Sequence, residues 1–297
     1  MENKSKTAAF RAADVLLILM MILPIVAGWV LKALFTPESE GIAIKGALIY
    51  LSVHAPIQDF VLTEAQVNSW LVMISVTGLC LYLTHGIRAR VATKRQYIAE
   101  WIVEKAEGLI KENMDGYFDG FAPFIAAMLA LSAFSSLLSL TGLFAPTSDL
   151  NVVAGWAILT FALITYYKMK CGPLVYCKSF GEPVGFLAPL NIISEFATPV
   201  SMAFRHYGNI LSGSVISVLI AAGLQGLSSA VLGHLPGFIG EFPLFRIGIP
   251  AVLSIYFDVF SGLLQAYIFA MLTMLYVSGA FPADEYARRH SAKTAEK

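Results

Sequence analysis

Charge is scarce in this sequence. Only 13% of its 297 residues are Asp, Glu, Lys or Arg, about half the ~25% usual in soluble globular domains. Twenty basic and twenty acidic side chains cancel, so nothing in the bulk charge points to nucleic acid or to an anionic surface. No polar stretch is long enough to build a sizeable domain outside a membrane. Cysteine is sparse too. Cys80, Cys171 and Cys177 are an odd set, and neither Cys171 nor Cys177 has a His or third Cys at metal spacing. They read as free thiols, and no metal site is expected. GxxxxGK[ST], HExxH and GxSxG are all missing, which leaves no nucleotide-binding, hydrolase or cofactor signature.

What is abundant is apolar. Hydrophobic residues make up 57% of the chain and mean hydropathy is +0.71. A helix needs roughly 20 mostly apolar residues to cross ~30 Å of hydrocarbon. Six segments qualify, so the expected fold class is all-α, multi-pass and transmembrane. The first, Val15 to Leu31, follows a basic start with Lys4, Lys6 and Arg11. That resembles a signal peptide, but no small-x-small cleavage site follows, which favours a retained helix. The others are residues 65–87, 120–145, 150–170, 186–221 and 247–281. The third and fourth are joined by a turn containing Pro146, Asp149 and Asn151, which makes them an antiparallel hairpin. The last two, at about 35 residues, would be roughly 50 Å long. They must project, bend or tilt beyond the usual ~20°, and steep tilt suggests wrapping around a partner. The division expected is an N-terminal helix and outer segment over 1–64, then a core over 65–297.

Lys and Arg assign the sides. The loop holding Arg88, Arg90, Lys94, Arg95, Lys105 and Lys111, the loop with Lys168, Lys170 and Lys178, and the tail with Arg288 and Arg289 all belong in the cytoplasm. Six crossings with both termini inside satisfy every placement. Residues 94–114 read as a surface amphipathic helix whose inner stripe is Ile98, Trp101, Ile102, the stem of Lys105 and Leu109.

Three ionisable residues lie within the last two segments: Glu195, Arg205 and Asp258. Each costs roughly 2.5–3.5 kcal/mol at a helix centre on insertion scales. Between Phe196 and Gly240, Arg205 is the sole Asp, Glu, Lys or Arg. Helical spacing puts Ser201, Arg205, Asn209 and Gly213 in one row, with Gly208 and Ser212 beside it. Such a small, polar face admits close approach of another helix in lipid; ordinary packing within the chain would use the same residues but would not explain the Arg. Asp258, Ser261, Gly262 and Gln265 fall at i, i+3, i+4, i+7, a line that could hold water or simply pair the two helices. Arg keeps its proton in proteins. It makes a poor proton carrier and a good fixed field. A carboxylate ~4 Å away at an effective dielectric near 20 feels about 4 kcal/mol. A moving carboxyl facing that charge must drop its proton, and protons cannot cross directly between water-filled entries on either side.

These residues resemble subunit a of the F-type ATP synthase, the bacterial membrane stator. The most specific match is PLNIISEFATPVSMAFRHYGNILSG, Pro189 to Gly213, with an acidic-Phe pair, a Pro break, and Arg-x-x-Gly-Asn. LQAYIFAMLTMLYVSGAF (Leu264 to Phe281), PTSDLNVVAGWAI (Pro146 to Ile158) and VNSWLVMISV followed by KRQYIAEWIVE match in order. The likeness begins near Gln66. It implies that Arg205 faces the carboxylate of a rotor ring of c subunits, flanked by Asn209 and Gln265. Glu195 and Asp258 would line an entry half-channel from the outer side, and Ser201, Gly208, Ser212 and Gly213 would face the ring. It also implies peripheral-stalk b subunits and the rest of the complex as partners, a bacterial cytoplasmic membrane as location, ion translocation coupled to ATP synthesis or hydrolysis, and no catalysis in this chain. Two departures stand out. Ser214 occupies a position where many members have Glu, and His206 follows the arginine where an apolar residue is usual. A secondary transporter binding an anion at Arg205, or a non-conducting scaffold, would be the alternatives; the first usually shows paired repeats.

Overall fold

The computed structural model describes residues 2–36, 46–56, 59–87, 93–114, 116–181, 185–232, 234, 244–283 and 286–287. Helix α1 is Glu2–Phe35. Strands β1 (Ile49–Val53) and β2 (Phe60–Thr63) form an antiparallel hairpin that the apolar pattern did not announce. Then follow α2 (Glu64–Thr84), α3 (Lys94–Asn113), α4 (Ala122–Leu137), α5 (Leu150–Lys168), α6 (Pro173–Ser179) and α7 (Ala188–Leu232). Helix α8 (Leu244–Ser254) passes through a π-helical stretch, Ile255–Ser261, into α9 (Gly262–Ala280). Among the described residues, six helical spans are long and apolar enough to cross a membrane, in agreement with the six expected segments.

Local chemistry sets the helix ends. Thr63 and Gln66 make a capping box at the start of α2, satisfying otherwise orphan N–H groups. Thr93 caps α3 and Asp149 caps α5 through their side chains. A single 3₁₀ turn extends α4 to Thr141, and Gly142 ends it at φ +79°, a left-handed conformation that glycine adopts without a Cβ clash. Helix α7 is longer than expected. Its 45 residues make about 67 Å at 1.5 Å per residue. Pro199 lies inside it and does not end it.

The described spans pack around three clusters, the smallest of which, Val72, Leu138 and Leu143, receives Ile25 of α1; the two larger ones hold the core. One joins α3, α4, α5 and α9 through Ile110, Phe118, Ile125, Ile164, Met274 and Phe281. The other, Val153, Ala157, Met202, Ala203 and Phe269, joins α5, α7 and α9. The expected stripe of α3 needs correction. Its buried residues are Gln96, Ala106 and Ile110, while Ile98, Trp101 and Ile102 are 47%, 48% and 42% exposed. Ala106 is small enough for close packing on the bundle, so the bulkier stripe is left facing outward. Cys80 and Cys177 are free thiols, as expected; the side chain of Cys171 lies outside the described residues.

Helix α1 is fastened at both ends. At one, Asp14 Oδ1 accepts from Arg95 Nη1 at 2.8 Å and meets His85 Nδ1 at 2.9 Å. At the other, Lys32 Nζ donates to the Gly142 carbonyl at 2.6 Å and stands 3.8 Å from Glu64. Between them, a Cβ on Gly78 would meet Met20 at 3.2 Å, so the two helices touch nearly backbone to backbone. The start of α9 is tighter still: a Cβ on Gly262 would lie 2.8 Å from Cβ of Ser136. Gly262→Ala should therefore destabilise the folded protein by about 1–3 kcal/mol, measured as thermal unfolding in detergent. Adding Ser136→Gly should restore part of it.

Candidate functional site

Helix α7 is the spine of the site. Seven residues into it, Glu195 is nearly buried, its side chain 5% exposed. Lys168, in the last turn of α5, donates to Glu195 Oε2 at 2.8 Å, and Tyr176 of α6 donates to Oε1 at 3.3 Å. Burial, with the Glu195 charge adding to it, pushes the Tyr176 hydroxyl above the ordinary phenol range, so it stays a donor at neutral pH. These residues border a cavity of about 540 Å³ that reaches Gly279 and Phe281 at the end of α9.

Arg205 lies ten residues further on, about 15 Å along the axis. It is exposed, and among the described residues it has neither an ion-pair nor a hydrogen-bond partner. Ser201, Phe204 and Ser212 are exposed on the same helix and Gly208 is half-buried. Gly213 is a correction. It is buried, and a Cβ there would meet the Phe257 ring at 2.9 Å, so it serves contact within the chain. The reason is helical drift: each i,i+4 step overshoots a full turn by about 40°, and three steps from Ser201 carry Gly213 about 120° round.

One turn beyond Arg205, Asn209 Nδ2 donates to Oε1 of Gln265 at 2.8 Å. Gln265 is 2% exposed, so this bond ties α7 to α9 beside the arginine. His206 points the other way. It is fully buried, edge-on to Trp156 and Phe269. Its Nε2 is a loose 3.5 Å from Ser132 Oγ, and its Nδ1 has no partner.

A second cavity, about 510 Å³, lies at the other end of α5. Ser214, Ser139, Asp149, Tyr207 and Asp258 are among its lining residues, with Lys32 from α1. Ser214 is nine residues past Arg205, about 14 Å, and its hydroxyl donates to the Leu211 carbonyl at 2.8 Å. Asp258 sits in the π-helical stretch, a distortion frequent at functional sites. The four-residue polar line on this helix is dispersed by that stretch. Asp258 borders the cavity, Gly262 packs on Ser136 and Gln265 bonds Asn209. Glu195 and Asp258 do not border the same cavity. They flank opposite ends of the 19-residue α5, roughly 28 Å apart along it. Lys168, Tyr176 and Ser139 were not foreseen as site residues. Lys168 was visible only as a loop charge, and the two hydroxyl residues carry no distinguishing spacing.

A model of the ATP synthase A chain family matches residues 66–278, well over half the chain. The chain belongs to the ATP synthase A chain family. It is 31% identical to an ATP synthase subunit a from Priestia megaterium over 247 residues, covering 78% of this chain and 98% of that protein. It is 32% identical to one from Listeria welshimeri over 225 residues, covering 70% and 89%. One from Legionella pneumophila is 27% identical over 226 residues, covering 75% and 89%. The family assignment makes the chain a multi-pass, non-catalytic, proton-conducting stator subunit and removes the transporter alternative. The family match contains Glu195, Arg205, Asn209, Ser214, Asp258 and Gln265, while α1 and the β-hairpin lie before its first residue.

The Lys168–Glu195 pair is the most deeply placed ion pair of the site. Removing one partner of such a pair leaves an uncompensated buried charge and costs about 3–5 kcal/mol. Lys168→Met should therefore lower stability by about that amount, less whatever solvent the half-exposed cavity admits. Adding Glu195→Gln should recover most of it; equal instability in the double variant would show that the pair does not act as a unit.

Proposed function

We propose that protons cross this chain in two unconnected steps, by way of a carboxyl carried on a ring of c subunits that faces the exposed side of α7. The observation that supports it is the position of Arg205. It is a permanent charge without a partner among the described residues, between two cavities at opposite ends of the bundle, each bordered by a carboxylate.

The Lys/Arg distribution puts the Lys168 end, with Lys170, Lys178, Arg95 and Lys111, in the cytoplasm and the Asp149 end outside. Protons then enter through the cavity bordered by Asp258 and Ser214. With Ser214 in place of an acid, Asp258 is the carboxyl that collects them, and the Asn209–Gln265 pair orients the last polar groups before the ring. A protonated ring carboxyl moves into lipid. After nearly a full turn it returns to the cytoplasmic cavity, where it ionises beside Arg205 and its proton leaves past Glu195, Lys168 and Tyr176. A unit charge of opposite sign ~4 Å from the guanidinium gains about 4 kcal/mol at an effective dielectric near 20. That holds the ring carboxyl ionised as it passes and bars a proton from slipping between the cavities. Each proton crossing 100 mV releases about 2.3 kcal/mol, which the ring delivers as torque. The length of α7 fits a helix that tilts along a curved ring. Peripheral-stalk b subunits fit faces of the bundle that the ring leaves open.

In assembled complexes, Arg205→Ala should abolish ATP-driven proton pumping. Arg205→Lys should fail as well, because Lys can give up its proton where Arg cannot and lacks the planar fork. Wild-type pumping by either variant would refute the reading. Asp258→Asn should slow flux by about tenfold or more with assembly intact, measured in reconstituted vesicles; unchanged flux would remove Asp258 from the route and leave the role of Arg205 standing.

A further inference from the structure

The cavity holding Asp258 has a wall that the family match does not reach. Lys32, in the last turn of α1, and Gly46 and Ala47, just before β1, line it together with residues of the core. Among its lining residues Lys32 is the one Lys or Arg, set against two carboxylates, Asp149 and Asp258. The ammonium is held in place. It donates to the Gly142 carbonyl at 2.6 Å and faces Glu64 at 3.8 Å. Glu64 is 2% exposed and is itself engaged, accepting from the Phe144 N–H at 3.2 Å. Asn68 of the next turn donates to the Phe144 carbonyl at 2.8 Å, so α1, α2 and the loop leading to Asp149 form one unit. Beside it, burial with some help from the Glu64 charge pushes the Tyr50 hydroxyl up to about 12. Helix α1 is not loosely attached there. A Cβ on Gly28, one turn before Lys32, would meet Leu143 at 3.0 Å and Leu71 at 3.3 Å.

We propose that the end of α1 and the segment leading into β1 are a built-in wall of this cavity, and that Lys32 is its specificity-determining charge. Two carboxylates around a water-filled space would concentrate metal cations and let them compete with protons. A fixed ammonium on the same wall offsets that field. Lys32 is 36% exposed, enough to act on the water space while its hydrogen bond keeps it from swinging away. This inference takes its functional meaning from the proton route proposed above, but its test reads the field inside the cavity and not the flux.

The test uses the whole purified complex in detergent, with Cys80→Ser and Cys171→Ser and a reporter at the cavity wall, Ser148→Cys. Native Cys177, exposed on α6 at the far end, is the internal control. Rates of modification are measured with an anionic and a cationic methanethiosulfonate. Lys32→Gln should lower the anionic-to-cationic rate ratio at the Ser148→Cys thiol by roughly threefold or more, a size set by loss of one nearby unit charge. Lys32→Arg should preserve the ratio, and the ratio at Cys177 should not move in either variant. The proposal is overturned if the ratio at the Ser148→Cys thiol stays constant in Lys32→Gln, or if Lys32→Arg changes it as much as Lys32→Gln does. If Lys32→Gln fails to assemble, the ratio is compared between Glu64→Gln and the double variant Glu64→Gln with Lys32→Gln, which differ by the ammonium alone; an unchanged ratio between them overturns the proposal.

Discussion

The structure is organised by the need to hold one unneutralised positive charge inside a membrane. Arg205 keeps its proton at any accessible pH, and a charge at bilayer depth is expensive. The chain does not offset that cost with a carboxylate of its own among the described residues. It places the guanidinium on the exposed side of a long helix, with Glu195 nearly three turns before it on the same helix and Asp258 at the cavity towards the other end. An exposed, unpaired guanidinium leaves room for a counter-charge from outside the chain. In the mechanism proposed above a ring carboxylate is that visitor, and its attraction to Arg205 has to be temporary for the ring to turn.

The remaining features support that placement. Glu195 is paired with Lys168 and hydrogen-bonded by Tyr176, so both of its oxygens are engaged away from the arginine. Asp258 is held in a π-helical stretch that turns it to the opposite cavity. Asn209 and Gln265 pin α7 to α9 one turn from the charge. His206, Met202 and Ala203 give α7 a buried face against α4, α5 and α9, and that face fixes which way Arg205 points. Gly213 and Gly262 let the backbones approach closely at the cavity end, where a single added methyl would push the helices apart. Helix α1 closes the same end through Lys32, while Asp14 fastens it at the opposite end.

The helical spans were legible because the signal behind them is one-dimensional. Uncharged runs of 20 residues or more are forced into helices by the lack of water in hydrocarbon, and caps such as Thr63, Thr93 and Asp149 lie next to the ends they set. Arg205 stood out for the same reason, as a lone charge in an apolar run. The β-hairpin was not, since its short strands carry no strong alternation. The buried stripe of α3 was misjudged because the helix has two apolar stripes, and only its neighbours show that the one with Ala106 packs closer.

The sequence alone determined the number of crossings, the family, the charge on α7 and the residue types available to move a proton. Which of those residues share a space was decided by tertiary structure. Glu195 and Asp258 both read as acids of one route, yet the antiparallel course of α5 puts a cavity at each of its ends and assigns one acid to each. Gly213 read as part of an outward row, yet the 3.6-residue turn rotates it onto Phe257. Lys32 follows the first apolar segment and carries no signal of its own in the sequence, yet the packing of α1 on α2 brings it to the wall that holds Asp258. In each case linear spacing states what a residue is, while distance in space, which depends on how helices from remote parts of the chain pack, states what its charge acts upon.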